Sequence, residues 1–369
     1  MQPKRVLHII GKMDRAGAET MLMNLYRQID RDSIQFDFVT FTYDKGDYDD
    51  EIISMGGKII PIVAKEPISR MLKLTVFLKN NPEYQVVHAH MLLSNAFHLL
   101  AAKTAGVKYR ISHSHNTTNG KAGLINQAYE KWALLVNRAL STQKIACGEQ
   151  ASQYLFGSAK DVLILPNAVD VDKMISVADN SRNYINDIFS QSSKDLGIKI
   201  IQVGRLSEVK NHDFSLRISK ELKNRKINFT LFVVGQGPLE EQLKSKVIKE
   251  NLQYNIQFLG VRSDIAELMS SVDYMIMPSL YEGFPVVLVE SQSVGLNSII
   301  STNISAEVDL GLGLIKFLDI DSPAKWCDYI LDTKEKNINK EEIKITLKSK
   351  GFDIEENTKK LTELYSNMQ

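Results

Sequence analysis

Short, continuous runs of β-branched and other apolar residues punctuate this chain, and between them lie longer stretches whose apolar residues recur at helical spacing. In the first half, Val6–Ile10, Phe36–Phe41, Lys58–Val63, Val86–His90, Tyr109–His113, Gln143–Cys147 and Val162–Leu165 read as strands. Ala18–Ile29, Arg70–Lys79, Asn95–Ala105 and Leu124–Leu140 read as helices. The second half repeats the pattern, with strands at Lys199–Gly204, Phe229–Gly235, Ile256–Gly260, Tyr274–Pro278 and Ser298–Ser301. Its helices fall at Asp213–Asn224, Leu239–Lys249, Ser263–Ser270 and Val286–Val294. Strands without polar alternation, separated by helices, are buried on both faces, which means parallel sheets covered by helices. A chain of 369 residues has room for about two such α/β domains. The polar stretch Asp170–Ser193 marks the boundary. The division expected is 1–170 and 171–352, with a Lys- and Glu-rich helical tail whose last part, 353–369, returns to the first domain.

Composition removes several classes of function. With 44% hydrophobic and 24% charged residues the chain is neither disordered, collagen-like nor a coiled coil. Its 45 Lys and Arg against 44 Asp and Glu give a net charge of +1, too balanced for a protein that wraps nucleic acid. Two cysteines, Cys147 and Cys327, suit a reducing cytoplasm better than a disulfide framework. No apolar run reaches the roughly 18–20 residues that cross a bilayer, and Val6–Ile10 is too short for a signal-peptide core. The expectation is a cytoplasmic protein, with residence on the inner membrane surface left open.

Ligands of open parallel sheets bind where the strands end, so the residues after each strand carry the functional reading. After Ile10 comes Gly11-Lys12-Met13-Asp14-Arg15-Ala16-Gly17-Ala18-Glu19, which lacks the glycine spacing of a dinucleotide fold and of a P-loop. It is either an ordinary strand–helix turn or an approach to an anion through Gly17. In Gly204-Arg205-Leu206-Ser207-Glu208-Val209-Lys210-Asn211, Arg205 and Lys210 either converge on a diphosphate or are solvated surface cations. In Glu282-Gly283-Phe284-Pro285-Val286-Val287-Leu288-Val289-Glu290, Pro285 suits a first helical turn. The amides of Val286, Val287 and Leu288 are then expected to be free for phosphate or sugar hydroxyls. Glu290 sits among apolar neighbours and needs partners such as ribose hydroxyls, or else a lysine.

Histidines fall in pairs, His88 with His90 and His113 with His115, each at a strand end. Such pairs suit a sugar or acceptor hydroxyl, or backbone satisfaction, better than zinc, because neither cysteines nor enough carboxylates accompany them. From Lys58 to Leu140 eleven Lys and Arg face three Glu. That is a solvated face or a surface for anionic lipid.

Taken together, GRLSEVKN at Gly204–Asn211 and EGFPVVLVE at Glu282–Glu290 resemble two signatures of the retaining, family-4-type glycosyltransferases of GT-B fold. AGAE at Ala16–Glu19 is similar to their first glycine-bearing loop, and LPNAVD at Leu165–Asp170 to their interdomain segment, with Ala168 where glycine is common. Cys147-Gly148-Glu149 and SHSHN at Ser112–Asn116 resemble bacterial members that build exopolysaccharides or capsules. The resemblance implies two Rossmann-like domains facing a central cleft. It implies a nucleoside diphosphate sugar as donor, UDP by preference, and a lipid-linked or oligosaccharide acceptor. Arg205 and Lys210 would clamp the diphosphate and Glu290 the ribose. Glu282 and the backbone of Gly283, Phe284, Pro285, Val286 and Val287 would address the sugar. Val261 or Arg262 would lie near the base, Gly17 would approach the phosphates, and His113 or His115 would sit beside the transferred hexose or N-acetylhexosamine. No metal or other cofactor is implied. An NDP-sugar epimerase or hydrolase of the same architecture, or a non-catalytic sugar-nucleotide subunit of a synthase, are the competing readings.

Overall fold

The computed structural model describes residues 2–116, 123–189, 195–282, 284–333 and 338–368. The chain forms two compact units, Met1–Ala168 with Asp353–Gln369, and Val169–Phe352.

Seven strands build the sheet of the first unit: β1 (Lys4–Ile9), β2 (Ile34–Thr40), β3 (Ile59–Pro61), β4 (Val86–Ala89), β5 (Tyr109–Ser114), β6 (Gln143–Ala146) and β7 (Leu163–Ile164). Their order is β3-β2-β1-β4-β5-β6-β7 and every pairing is parallel. The alternation of side chains along β1 explains its apolar run. Leu7 and Ile9 enter a core with Leu74, Leu78, Ala101 and Ala102 of the helices Pro67–Asn80 and Asn95–Thr104. Val6 and Ile10 enter another with Phe36, Phe38 and the helix Gly17–Gln28.

The second core is completed from the far end of the chain. The helix Ile354–Ser366 starts at Asp353, whose carboxylate accepts from the amides of Glu355 and Glu356. It inserts Ile354, Leu361 and Tyr365 beside Met21 and Phe36. Lys4 Nζ donates to the carbonyls of Tyr365 and Met368, which locks this helix end to β1.

The second unit carries β8 (Ile198–Val203), β9 (Phe229–Val234), β10 (Ile256–Gly260), β11 (Tyr274–Met277), β12 (Asn297–Ser301) and β13 (Ile315–Leu318). They lie in the order β10-β9-β8-β11-β12-β13, again all parallel. One face packs Ile200, Leu231 and Ile299 against Phe214, Leu222 and Trp326. The other packs Ile201, Phe232 and Ile300 against Leu268, Leu288 and Ile185. The stretch expected to be a polar boundary is in part helical, at Val171–Asn180 and Tyr184–Ile188. Asp170 caps the first of these through the Lys173 amide, and single buried anchors, Val171 and Ile185, suffice to dock them. Strand β13 has no counterpart in the sequence reading, because it is a four-residue edge strand with Lys316 exposed.

Leu361→Ala removes a side chain buried between β1 and its covering helix, and should destabilise the first unit by about 2–5 kcal/mol. The exposed neighbour Lys359→Ala should stay within about 0.5 kcal/mol of the parent. Urea unfolding of both variants, followed by amide exchange in β1, checks the contrast.

Candidate functional site

Of the polar groups singled out above, Lys210 and Glu282 meet past the ends of β8 and β11. Strand β8 runs into Gly204, and β9 into Gly235, both with positive φ (+152° and +129°). A Cβ on Gly235 would stand 2.1 Å from the Gly204 carbonyl oxygen, so the two loops can pack backbone against backbone only because Gly235 has no side chain. The room left over Gly204 is taken by Lys210, whose Cε lies 3.0 Å from where a Cβ would be.

Lys210 is held from three sides. Its carbonyl accepts from Gln202 Nε2 at 2.9 Å, and Gln202 is itself fixed by Ser215 Oγ at 2.6 Å. Asn211, in left-handed backbone (φ 50°), donates from Nδ2 to the Pro278 carbonyl at 3.0 Å, while the Leu280 amide donates to Val209. These bonds tie the loop after β8 to the loop after β11. The Lys210 ammonium then meets Glu282 Oε1 at 2.6 Å, with side chains only 19% and 17% exposed. An ammonium carries three donors, so a single carboxylate oxygen leaves others for a second acceptor. Glu282 is set by a parallel bridge to Ile304. The hydroxyl of Ser279, buried and without a partner among the described residues, lies three residues before it in the chain and was not anticipated from sequence.

Arg205 is exposed on the same loop, with no ion pair among the described residues. Glu290 lies on the short helix Val287–Ser293, half-buried and unpaired among the described residues. Burial pushes its carboxyl up to about 7. Phe284 stacks on Phe352 with ring centroids 5.4 Å apart, which anchors the segment that leads through Pro285 into this helix. The helix starts later than its sequence suggests. The Leu288 amide donates to the Pro285 carbonyl at 3.0 Å, so it is not free, while the Val286 and Val287 amides have no partner among the described residues. Gly283 lies outside the described residues.

Two further expectations are altered by partners. Val261 is exposed after β10, but Arg262 is engaged in a two-point contact with Asp264 (Nε–Oδ1 2.8 Å) that Tyr184 also joins. Its guanidinium is thus a brace between loop and helix. In the first unit, Gly17 opens its helix exposed, with no side chain capping the first turn. His113 is wholly buried on β5, and His115 is half-buried just beyond it. Both belong to a ladder with His8, His88 and His90, and burial lowers the basicity of every member, His8 to about 3 and His115 to about 4. The membership of His8 was not legible in sequence, since it depends on β1 lying next to β4. No helix among the described residues is long and apolar enough to cross a membrane.

Residues 15–173 match the family model "Glycosyltransferase Family 4", and residues 185–309 match "Glycosyl transferases group 1". The chain is 39% identical to the "Putative glycosyltransferase EpsF" of Bacillus subtilis, over 98% of this chain and 96% of that one. It is 28% identical to the UDP-Gal:alpha-D-GlcNAc-diphosphoundecaprenol alpha-1,3-galactosyltransferase of Escherichia coli, over 81% and 79% of the two chains. With the capsular polysaccharide biosynthesis glycosyltransferase CapH of Staphylococcus aureus it shares 25% over 98% of both. Among solved structures, HepE of Anabaena, in complex with UDP and glucose, superposes with a TM-score of 0.78 at 17% identity, over 99% of this chain and 100% of that one. Two family models in succession and a relative matched nearly end to end lead to one conclusion: the chain belongs to the family-4 glycosyltransferases, with two Rossmann-like units of the GT-B fold.

Proposed function

We propose that this protein transfers a hexose or N-acetylhexosamine, with retention of configuration, from a UDP-sugar to a lipid-linked or oligosaccharide acceptor during synthesis of a bacterial surface polysaccharide. The observation that carries the reading is the sheltered ammonium of Lys210, braced by Glu282 at the end of the second sheet. The names of the relatives support the rest: one uses UDP-galactose and an acceptor on diphosphoundecaprenol, and one builds a capsule.

The chemistry follows from where charge develops. The bond between the sugar C1 and the β-phosphate oxygen breaks, and its electron pair leaves with the diphosphate. Lys210, Arg205 and the amides of Val286 and Val287 are the groups suited to stabilise that charge, without a metal ion. The acceptor oxygen bonds C1 on the same face, and its proton passes to the departing phosphate oxygen. Glu282 holds Lys210 and faces the sugar hydroxyls, Glu290 accepts from the ribose, and Val261 supplies an apolar edge near the uracil. Gly17 offers the exposed, uncapped amides of its helix to an anion. His113 and His115 enter only through the resemblance, since their ring nitrogens are sheltered. The step described needs no base from either.

The acceptor's lipid fits the surface of the first unit. The helix Leu124–Leu140 exposes Leu124, Ile125 and Leu135 along with Lys131. Helix Pro67–Asn80 exposes Ile68, Leu72 and Val76 near Lys73 and Lys79. Exposed apolar residues interleaved with cations suit an anionic bilayer surface.

Four measurements test this reading. Lys210→Ala should lower kcat/KM for sugar transfer about 100- to 1000-fold, as loss of a charge-stabilising donor does, and unchanged turnover would refute the diphosphate assignment. Release of UDP from a panel of UDP-sugars should depend on added lipid extract; acceptor-independent conversion would instead favour an epimerase or hydrolase, and binding without turnover a non-catalytic subunit. UDP-glucose should bind about tenfold more tightly at pH 8 than at pH 6, because a carboxyl near 7 is mostly ionised only at the higher pH. In Glu290→Gln that dependence should vanish, by calorimetry across the range. Co-sedimentation with phosphatidylglycerol vesicles should be lost in Ile125→Ser/Leu135→Ser, with the fold intact by circular dichroism.

A further inference from the structure

One cation of the first unit is set apart by its surroundings. Arg70 lies near the start of the helix Pro67–Asn80, half-buried. Its guanidinium carbon sits over the Phe41 ring, 4.0 Å from the centroid, and Nη2 donates to the Ala64 carbonyl at 3.1 Å. Among the described residues Nε is buried without a partner, Nη1 makes no hydrogen bond, and no carboxylate pairs with the group. Other half-buried arginines are answered differently. Arg5, Arg225 and Arg262 each have a carboxylate, and Arg110 spends Nε and Nη1 on the carbonyls of Leu140 and Val107.

The place of this cation is as telling as its freedom. Phe41 follows β2, and its amide donates to the carbonyl of Gly11, which follows β1. A Cβ on Gly11 would lie 4.0 Å from the Phe41 ring and 3.5 Å from Met91, which follows β4. Arg70 therefore stands at the rim where β1, β2 and β4 end, and open parallel sheets bind ligands at such rims. His98 packs against Phe41 with ring centroids 5.4 Å apart. Burial, and then the charge of Arg70, lower His98 to about 3, so it stands as a neutral ring. The nearest acid in the chain, Glu66, is exposed, and Lys65 and Lys73 add positive charge.

We infer that Arg70 is a specificity residue for the acceptor, and that it takes the diphosphate joining the acceptor's lipid to its sugar. This rests on the reading of a lipid-linked acceptor. With one proton of Nη2 given to Ala64, the guanidinium keeps both protons of Nη1 and one of Nη2, enough for a two-point contact with phosphate oxygens. Stacking on Phe41 holds the planar group in one orientation.

The same helix exposes Ile68, Leu72 and Val76, about one residue per turn. A lipid diphosphate is anionic between a sugar and an apolar chain. A helix with an apolar stripe in solvent and a guanidinium at the sheet rim offers both parts a counterpart within one helix width, about 10–12 Å. The donor's diphosphate has its own cations in the second unit, Lys210 and Arg205.

The test uses the full-length protein saturated with UDP, and titrates farnesyl diphosphate and farnesol in detergent micelles. The parent should bind farnesyl diphosphate about ten- to a hundredfold more tightly than farnesol. Arg70→Gln should lose that preference with UDP affinity unchanged. Lys103→Gln, an exposed cation of the helix Asn95–Thr104, should keep it. Arg70→Lys retains the charge without the planar fork, should keep only part of the preference, and replaces Arg70→Gln if that variant fails to fold. Co-sedimentation with phosphatidylglycerol vesicles should be the same for Arg70→Gln and the parent. The inference is overturned if the parent shows no preference, if either Arg70 variant retains it in full, or if Arg70→Gln loses vesicle binding to the same extent, which makes a bilayer phosphate the ligand. Diphosphate binding through Arg70 in a protein that transfers no sugar defeats the proposed reaction alone. Sugar transfer with the preference unchanged in Arg70→Gln defeats this inference alone.

Discussion

A strand buried on both faces can hold few polar side chains, because its own amides and carbonyls are used up in pairing and everything around it is apolar. Both sheets of this protein obey that constraint, and it decides where chemistry can be placed. In the second unit β8 is paired on each side, by β9 and β11, and the cations Arg205 and Lys210 follow its end. There the absence of side chains matters as much as their presence. Gly204 and Gly235 let two loops meet backbone to backbone, and the gap over Gly204 becomes the bed of the Lys210 stem. An alanine at Gly235 would strike the Gly204 carbonyl and push apart the loops that aim the lysine.

The charge so aimed is unusual in its balance. A sheltered ion pair such as Lys210–Glu282 loses much of its attraction to desolvation, and by itself contributes little to stability. Its use lies in keeping an ammonium charged and fixed in a partly dry place, where an incoming anion feels it strongly. Glu290 is the counter-case. With no cation beside it, its carboxyl sits near 7, and hydroxyl donors from a ligand would favour the ionised form. The two acids of the EGFPVVLVE segment thus differ in surroundings: Glu282 has a lysine, and Glu290 has no cation partner among the described residues.

Much of this was legible from sequence because the strands are continuous apolar runs and the loops follow them directly. The strand ends at Gly204, Gly260 and Pro278 could be located, and with them Lys210, Val261 and Glu282. What escaped depended on partners distant in the chain. Arg262 reads as a free cation until Asp264 and Tyr184 close on it. Leu288 reads as a free amide until the turn at Pro285 tightens. The helices at Val171–Asn180 and Tyr184–Ile188 hide in polar sequence because one or two anchors dock each of them. The histidine pairs were visible as spacings of two, but that His8 joins them follows only from strand order, which no local pattern encodes.

The first sheet also shows what a completed buried polar group looks like. Asp37 has no exposure, and it accepts from Arg5 through two nitrogens, from the Tyr84 hydroxyl at 2.8 Å and from the Lys58 amide at 2.8 Å. Every lone pair of that carboxylate is answered by donors from other parts of the unit. Three strands away, on the same sheet, His113 is as deeply buried and neither ring nitrogen is answered among the described residues. A fold that supplies four contacts to Asp37 is able to satisfy polar atoms in its interior.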